Sequence, residues 1–560
     1  MGRFNLIEEA WIKVINLNGD NEMVSIRDVF AKASQYQALA GDTRTQDFAV
    51  LRILLAILQT VFIRYDLDGN LRELPEDDED QEDLDSFDQS VIDDWREVWR
   101  KESFPNILFE YLEHWRDRFY LFDKEYPFMQ VTKKEIDPVK ISKPTPSSMA
   151  ARNFNRLISE SANKIALFSP KCDGKDQINK DILTESDLAR WLITLQSYIG
   201  LSDKVIFGKE KYKASKGWLF DLGGIYFEGK NLFQTLWLNC ILLHPDHTYR
   251  YQSPKPCWES EPSELIASYL TNLNPDNLAT LYTVWSRAVY VDPESQLNEP
   301  FSCQIVKLPE LEHKDQFLEP MTLWRFNRQG PNKEHFTPIK HVASQSLWRS
   351  FGLVALSSQA FDDHHQPGLI TWIDQFADLL DRDLITLNSV SMQDDNNATS
   401  WVPTDEICDQ LNVNAFTLID LGEGRWVVRI NDVVEKTKKV VSVTYKHFLD
   451  DLQEIRNQSG NKFSDKQVDA LYYQIDGPFK KWLFSLDSQD NKDQRILEWY
   501  HVLYRIIKGQ ADQLVKRAGP RDYTGIVRDK EVKNIATVYN RFIYYLKKEL
   551  KEEGMSGKEK

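Results

Sequence analysis

Two histidine-bearing runs, His244-Pro245-Asp246-His247 and His364-His365, are the nearest approach to a metal-binding cluster in this chain. A metal centre needs three or four side chains converging on one point. The proline inside the first run and the turn-like setting of both place them on surface loops, so no metal is expected. The five cysteines, Cys172, Cys240, Cys257, Cys303 and Cys408, include no CxxC pair. They read as reduced thiols of a cytosolic protein. Bond-breaking motifs are missing too: the chain has no GxxxxGK[ST] to cradle phosphate, no HExxH and no GxSxG. No cofactor and no catalytic residue are expected.

What remains is charge. The formal net charge is −17, which argues against a surface coated in nucleic-acid contacts and confines any such contact to a local patch. The run from Glu73 to Asp94 is densely acidic and reads as a solvated loop leading into an amphipathic helix. The other end differs: from Arg505 onward basic residues outnumber acidic ones. Lys516, Arg517 and Arg521 surround the turn Gly519-Pro520, where they would either hold a nucleic-acid strand or only solvate the surface.

The elements that must carry these charges show in the hydrophobic pattern. Trp11 to Ile15 and Met23 to Ile26 flank the turn Asn18-Gly19-Asp20, a hairpin signal. Thr45 to Phe62 is helical, with Leu51, Leu54, Leu55 and Leu58 on one stripe. Its apolar part, Phe48 to Phe62, is broken by Arg52 and Gln59 and too short to span a bilayer, and the N-terminus lacks a signal peptide. A cytoplasmic protein with no membrane contact is therefore expected. Ile225 to Leu243 reads as a strand passing into a helix. Short β-like runs follow: Ala288 to Val291, Leu384 to Leu387 and Phe416 to Ile419.

After Gly422-Glu423-Gly424 the spacing switches to three and four. One stripe is Val427, Ile430, Val434, Thr437, Val441, Thr444 and Phe448; a second is Val468, Leu471, Ile475, Phe479 and Trp482. A third runs Leu497, Tyr500, Tyr504, Ile507, Ala511 and Leu514, and a fourth Ile535, Val538, Phe542 and Tyr545. Four stripes with short connections predict an antiparallel four-helix bundle. The expected fold is a mixed α+β chain, with a large mixed α/β domain over 1–422 and the bundle over 423–560.

The opening FNLIEEAWIKV with MVSIRDVF, the segment Tyr126-Pro127-Phe128-Met129-Gln130, and Thr283-Val284-Trp285-Ser286-Arg287 with Asp292-Pro293 occur in this order ahead of the bundle. In order and total length this resembles the CasA family, the large subunit of the type I-E CRISPR surveillance complex Cascade. The resemblance implies a non-catalytic subunit beside the 5′ end of the guide RNA. It would read the protospacer-adjacent motif from the minor groove of double-stranded target DNA, start strand separation and recruit a helicase-nuclease. Base pairing with the guide would then read the sequence.

By the same resemblance, a minor-groove glycine loop falls on Lys213, Ala214, Ser215, Lys216 and Gly217, where small residues let the backbone approach the groove. A wedge between base pairs falls on Asn396, Asn397 and Ala398, an asparagine standing where the family has glutamine. Lys307 is the candidate minor-groove lysine, with Lys314 as the alternative. Phe168 falls on the loop that docks on the guide-RNA end of the complex. The bundle would lie against the small subunits and near the DNA strands. The competing reading is a purely structural protein-interaction subunit whose acidic face binds a basic partner.

Overall fold

The hairpin signalled by Asn18-Gly19 forms in the computed structural model, with strands Ile12–Asn16 and Asn21–Val24 paired antiparallel and Gly19 at φ +88°. The structure describes residues 2–75, 81–151, 182–201, 203–297, 299–358, 363–380, 384–397, 401–420, 424–528 and 531–551. The chain packs as two compact units. One comprises Met1–His341, Phe361–Gln375 and Thr386–Gln410, the other Val342–Ala360, Phe376–Ile385 and Leu411–Lys560. The second unit is thus discontinuous, where the sequence suggested a single cut at 422.

The first unit is built around the helix Arg44–Arg64, every residue of which from Thr45 to Ile63 is buried. Apolar residues ring this helix because it is packed on every side. The helix is longer than the apolar run read from sequence. By length and composition alone it could cross a membrane, but 94% of its most apolar window lies inside the fold. Its first-turn N–H groups are satisfied from afar, since Glu406 accepts from the backbone of Arg44 and Thr45 at 3.1 and 2.9 Å.

The acidic segment leads, as expected, into an amphipathic helix, Gln81–Lys101, which buries Val91, Trp95 and Val98. Trp95 stacks on Trp237, and each indole nitrogen donates to the other's carbonyl, at 3.3 and 2.9 Å. The run Tyr126 to Gln130 is core: Phe128, Met129 and Gln130 are buried, and Gln130 donates to the Leu121 carbonyl at 2.8 Å.

Two small sheets carry the segments singled out in the sequence. In one, Ser302–Lys307 lies between Ser147–Ala150 and Arg287–Tyr290, with both neighbours antiparallel. In the other, Leu384–Asp394 lies between Gly224–Glu228 and its hairpin partner Pro403–Asn414. The strand into helix read over Ile225 to Leu243 is present as Gly224–Glu228 and Leu232–Leu238.

In the second unit four long helices form. The first runs Trp426–Lys439, passes through a π-helical segment Val440–Tyr445 and continues as Lys446–Arg456. The others are Lys462–Phe484, Lys492–Lys516 and Ile535–Lys551. The first two stripes face the core except at Thr444 and Val468, which are half-buried. The third is rotated: Ile496, Trp499 and Leu503 are buried, while Leu497 and Tyr504 are only half-buried. In the last helix Leu546 takes the core position expected for Tyr545, which is 49% exposed.

Two readings need correction, and one element went unread. Phe416–Ile419 is a helical turn, not a strand, because all four residues are buried in tertiary packing that overrides their β propensity. A hairpin, Ile526–Arg528 with Glu531–Lys533, precedes the last helix, and no turn signal marked it. His244 is a core residue rather than a surface-loop one. It is 4% exposed, and burial pushes its pKa down to about 4. Among the described residues no cluster of three or more His, Cys, Asp or Glu side chains could hold a metal ion.

Candidate nucleic-acid interface

The segment Lys213 to Gly217 is docked by its backbone. Ser215 N–H donates to the Leu308 carbonyl at 3.0 Å, and Glu310 N–H donates to the Lys213 carbonyl at 2.8 Å. Gly217 sits at φ +86°, and a Cβ there would lie 2.5 Å from the Ser197 carbonyl oxygen. Glycine is required by both conformation and space. Gly217→Ala is therefore expected to cost about 1–3 kcal/mol in chemical denaturation; an unchanged midpoint would contradict this account.

Both ends of the longer loop, Ser202 to Gly217, are held by the buried guanidinium of Arg287. It donates to the Ser215 carbonyl at 2.7 Å, to the Gly200 carbonyl at 2.6 Å and to both Asp203 carboxylate oxygens. Lys307 lies within this clasp. Its ammonium donates to the Leu201 carbonyl at 2.8 Å and stands 3.9 Å from Asp203. Burial lowers its pKa. Lys307 is consequently not presented for a groove, which corrects its choice over the half-exposed Lys314.

Asn396 and Asn397 are exposed at the tip of the hairpin formed by Leu384–Asp394 and Pro403–Asn414. Asp394 and Asp395 build the tip as Asx turns, their carboxylates accepting from Asn396 N–H at 2.9 Å and Asn397 N–H at 3.1 Å. Asn396 takes the left-handed conformation, φ +54°, which asparagine tolerates well. Ala398 lies outside the described residues, as does Phe168.

The glycine loop and the hairpin tip meet around Asp221. The Lys216 ammonium is 2.5 Å from Asp221 and 4.6 Å from the Trp401 ring centroid. Lys340 bridges the same acid, at 3.7 Å, to Asp394 of the hairpin, at 2.9 Å, and lies over the Phe220 ring. Burial pushes the Asp221 carboxyl up, but Lys216, His313 and Lys340 outweigh it and hold its pKa below the ordinary aspartate value. His313 stacks on Trp218 with centroids 4.1 Å apart. Sequence reading missed Asp221, Lys340, Trp401 and Arg287 as site residues, because no local spacing links them.

The structure thus joins two of the sequence-derived segments. It also pairs two of their lysines, the exposed Lys213 with Glu310 and the largely buried Lys216 with Asp221. On the last helices part of the basic excess is paired as well: Lys508 with Asp512, Lys533 with Asp451 and Glu454, and Arg541 with Asp451. Lys516, Arg517 and Arg521 are exposed, although the Arg521 guanidinium also donates to the Ile455 carbonyl at 2.7 Å.

The sequence pattern of the family described as CRISPR-associated protein Cse1 matches residues 5–509. A curated relative, CRISPR-associated protein CasA/Cse1 of Thermus thermophilus, is 29% identical over 357 residues, which are 62% of this chain and 59% of that relative. The match thus spans less than two thirds of that relative's length. Among solved structures, Cse1 of Thermobifida fusca superposes with a TM-score of 0.75 at 24% identity, covering 98% of each chain. Cse1 of Acidimicrobium ferrooxidans gives 0.70 at 19% identity, over 98% of this chain and 99% of that one. A chain of a CRISPR RNA-guided surveillance complex gives 0.63 at 14% identity, over 97% and 99%. At these identities the superpositions establish the shared fold.

Proposed function

The chain belongs to the CRISPR-associated protein Cse1 family, and from that premise we propose that it is the large subunit of a type I-E Cascade complex that recognises the protospacer-adjacent motif in duplex DNA. The observation that carries the reading is the junction at Asp221. Lys216 and Lys340 tie the glycine loop to a hairpin whose exposed tip offers Asn396 and Asn397. A small-residue segment that can approach a groove floor and a polar tip that can enter the stack are thereby held in fixed relation.

In this reading the Asn397 side chain enters at the edge of the motif and starts strand separation, which the guide RNA then extends by pairing. The chain itself breaks no bond; a recruited helicase-nuclease does so. Small subunits contact the bundle, where Lys516, Arg517 and Arg521 help hold DNA, and the complex acts in the cytoplasm in antiviral defence. The loop containing Phe168 docks on the guide-RNA end of the complex.

Asn397→Ala tests this. Assembled complex carrying the variant should bind motif-bearing duplex about tenfold or more weakly, as expected for one lost base contact, with its melting temperature unchanged. A gel shift with and without the motif reads both effects. Unchanged affinity and unchanged motif dependence would instead favour a purely structural subunit.

A further inference from the structure

With Lys216 held by Asp221 and Lys213 in a surface pair with Glu310, further phosphate contacts of the loop come from elsewhere. The loop supplies them just upstream. Lys204, Lys209 and Lys211 are all exposed, and among the described residues none of them forms an ion pair. Their presentation is built rather than accidental. Val205 and Phe207 are buried beneath them, and Gly208 turns the tip at φ +64°. The Tyr212 hydroxyl closes the loop, donating to the Lys307 carbonyl at 2.6 Å and accepting from Phe207 N–H at 2.9 Å.

A second segment joins the loop from far away in sequence. Ile141 bridges Phe207 in antiparallel fashion. Ser142 N–H donates to the Ile206 carbonyl, and Gly208 N–H to the Lys140 carbonyl, both at 2.8 Å. This pairing brings Lys140 and Lys143 alongside the loop. Both are exposed, and among the described residues both lack an ion pair. The exposed acids on the two segments are Asp137 and Glu210. Asp137 is occupied in a turn, its carboxylate accepting from Val139 N–H at 3.0 Å. Five lysines against two acids, on two cross-paired segments of a chain with net charge −17, are a local electrostatic exception.

The geometry points to Lys140, Lys143, Lys204, Lys209 and Lys211 as a binding surface for the phosphodiester backbone of duplex DNA. This inference rests on the proposed reading of the adjacent loop and hairpin. The patch carries affinity, and the hairpin tip carries strand opening. Lysine suits the first task because a flexible point charge meets phosphate without demanding a base sequence. Lys216, largely buried between Asp221 and Trp401, acts instead as a strut that shapes the loop.

The test uses the full-length chain, alone and in assembled complex. One variant reverses all five lysines to glutamate, and a second converts them to glutamine. A third, Lys216→Ala, serves as comparison. Fluorescence anisotropy against labelled duplex DNA, and against single-stranded RNA of equal length, is followed over a salt series. Thermal melting checks the fold, which exposed lysines should not perturb.

Each phosphate contact adds about 0.9 to the slope of log affinity against log salt for duplex DNA. The five-lysine variants should therefore lower the slope by about 3 or more, the glutamate variant losing the most affinity at low salt. The strut variant should lower the slope by less than about 1. An unchanged slope in the five-lysine variants overturns the assignment. So does a loss confined to RNA, or a change in self-association without any change in DNA binding. Asn397→Ala separates the two readings. If it leaves strand opening intact while the lysine variants still lower the slope, the hairpin reading fails and the patch stands.

Discussion

Glu319→Ala is expected to destabilise the chain by about 3–5 kcal/mol, the range for removing one partner of a buried ion pair. Glu319 is fully buried, and its two carboxylate oxygens accept from the Arg52 guanidinium at 2.8 Å each. The same carboxylate accepts from the Trp218 indole at 2.6 Å and from Met321 N–H at 3.0 Å. Alanine leaves all of these donors unsatisfied and strands a guanidinium that lies 4.1 Å from the Tyr282 ring centroid. Trp218 directly follows Gly217, so the glycine loop should loosen together with the core.

Urea denaturation of the single variants Arg52→Met and Glu319→Ala, and of an apolar double variant Arg52→Met with Glu319→Leu, checks this. Each single change should cost several kcal/mol. The double change should cost less than the sum of the singles, since no orphaned charge then remains. A single-variant loss below about 1 kcal/mol would sink the argument.

Arg287→Ala is expected to be comparably damaging, and it carries a functional signature. The side chain is 0% exposed and donates to three backbone carbonyls, of Gly200, Ser215 and Ser286, as well as to Asp203. Its loss leaves Asp203, among the described residues, facing Lys307 at 3.9 Å and frees both ends of the loop that runs from Asp203 to Ser215. About 3–5 kcal/mol should go, and lysine should not restore it, because an ammonium cannot reproduce the planar fork.

The diagnostic readout is DNA affinity measured at a temperature where the variant is still folded. Affinity should fall while the mutated residue itself touches no DNA. A second-site suppressor that stabilises the core should recover the melting temperature but not the affinity. Full recovery of both would reduce Arg287 to a purely structural role.

Much of the fold follows from local rules. The Asn18-Gly19 hairpin formed because Gly19 supplies the positive φ of the turn and the Asn16 side chain accepts from the N–H groups of Asn18 and Asp20. The helix Arg44–Arg64 and the four bundle helices followed from apolar spacing. The misplacements are equally physical. Tyr545 and Leu546 are about 100° apart around the helix axis, so a stripe drawn through one and not the other turns the predicted face. Phe416 to Ile419 satisfies strand propensity and helical packing alike, and only its neighbours decide.

The interface divides in the same way. The sequence by itself determined which segments are candidates, because small residues, asparagines and lysines are visible wherever they stand. Only the tertiary structure decided which lysines are presented at the surface. A lysine's availability depends on whether a distant acid folds back onto it, as Asp394 does onto Lys340, or whether its own chain is buried, as in Lys307. It likewise decided that residues as far apart as Lys216, Lys340, Asp394 and Trp401 share one cluster, since Coulomb attraction acts across space and is indifferent to separation along the chain.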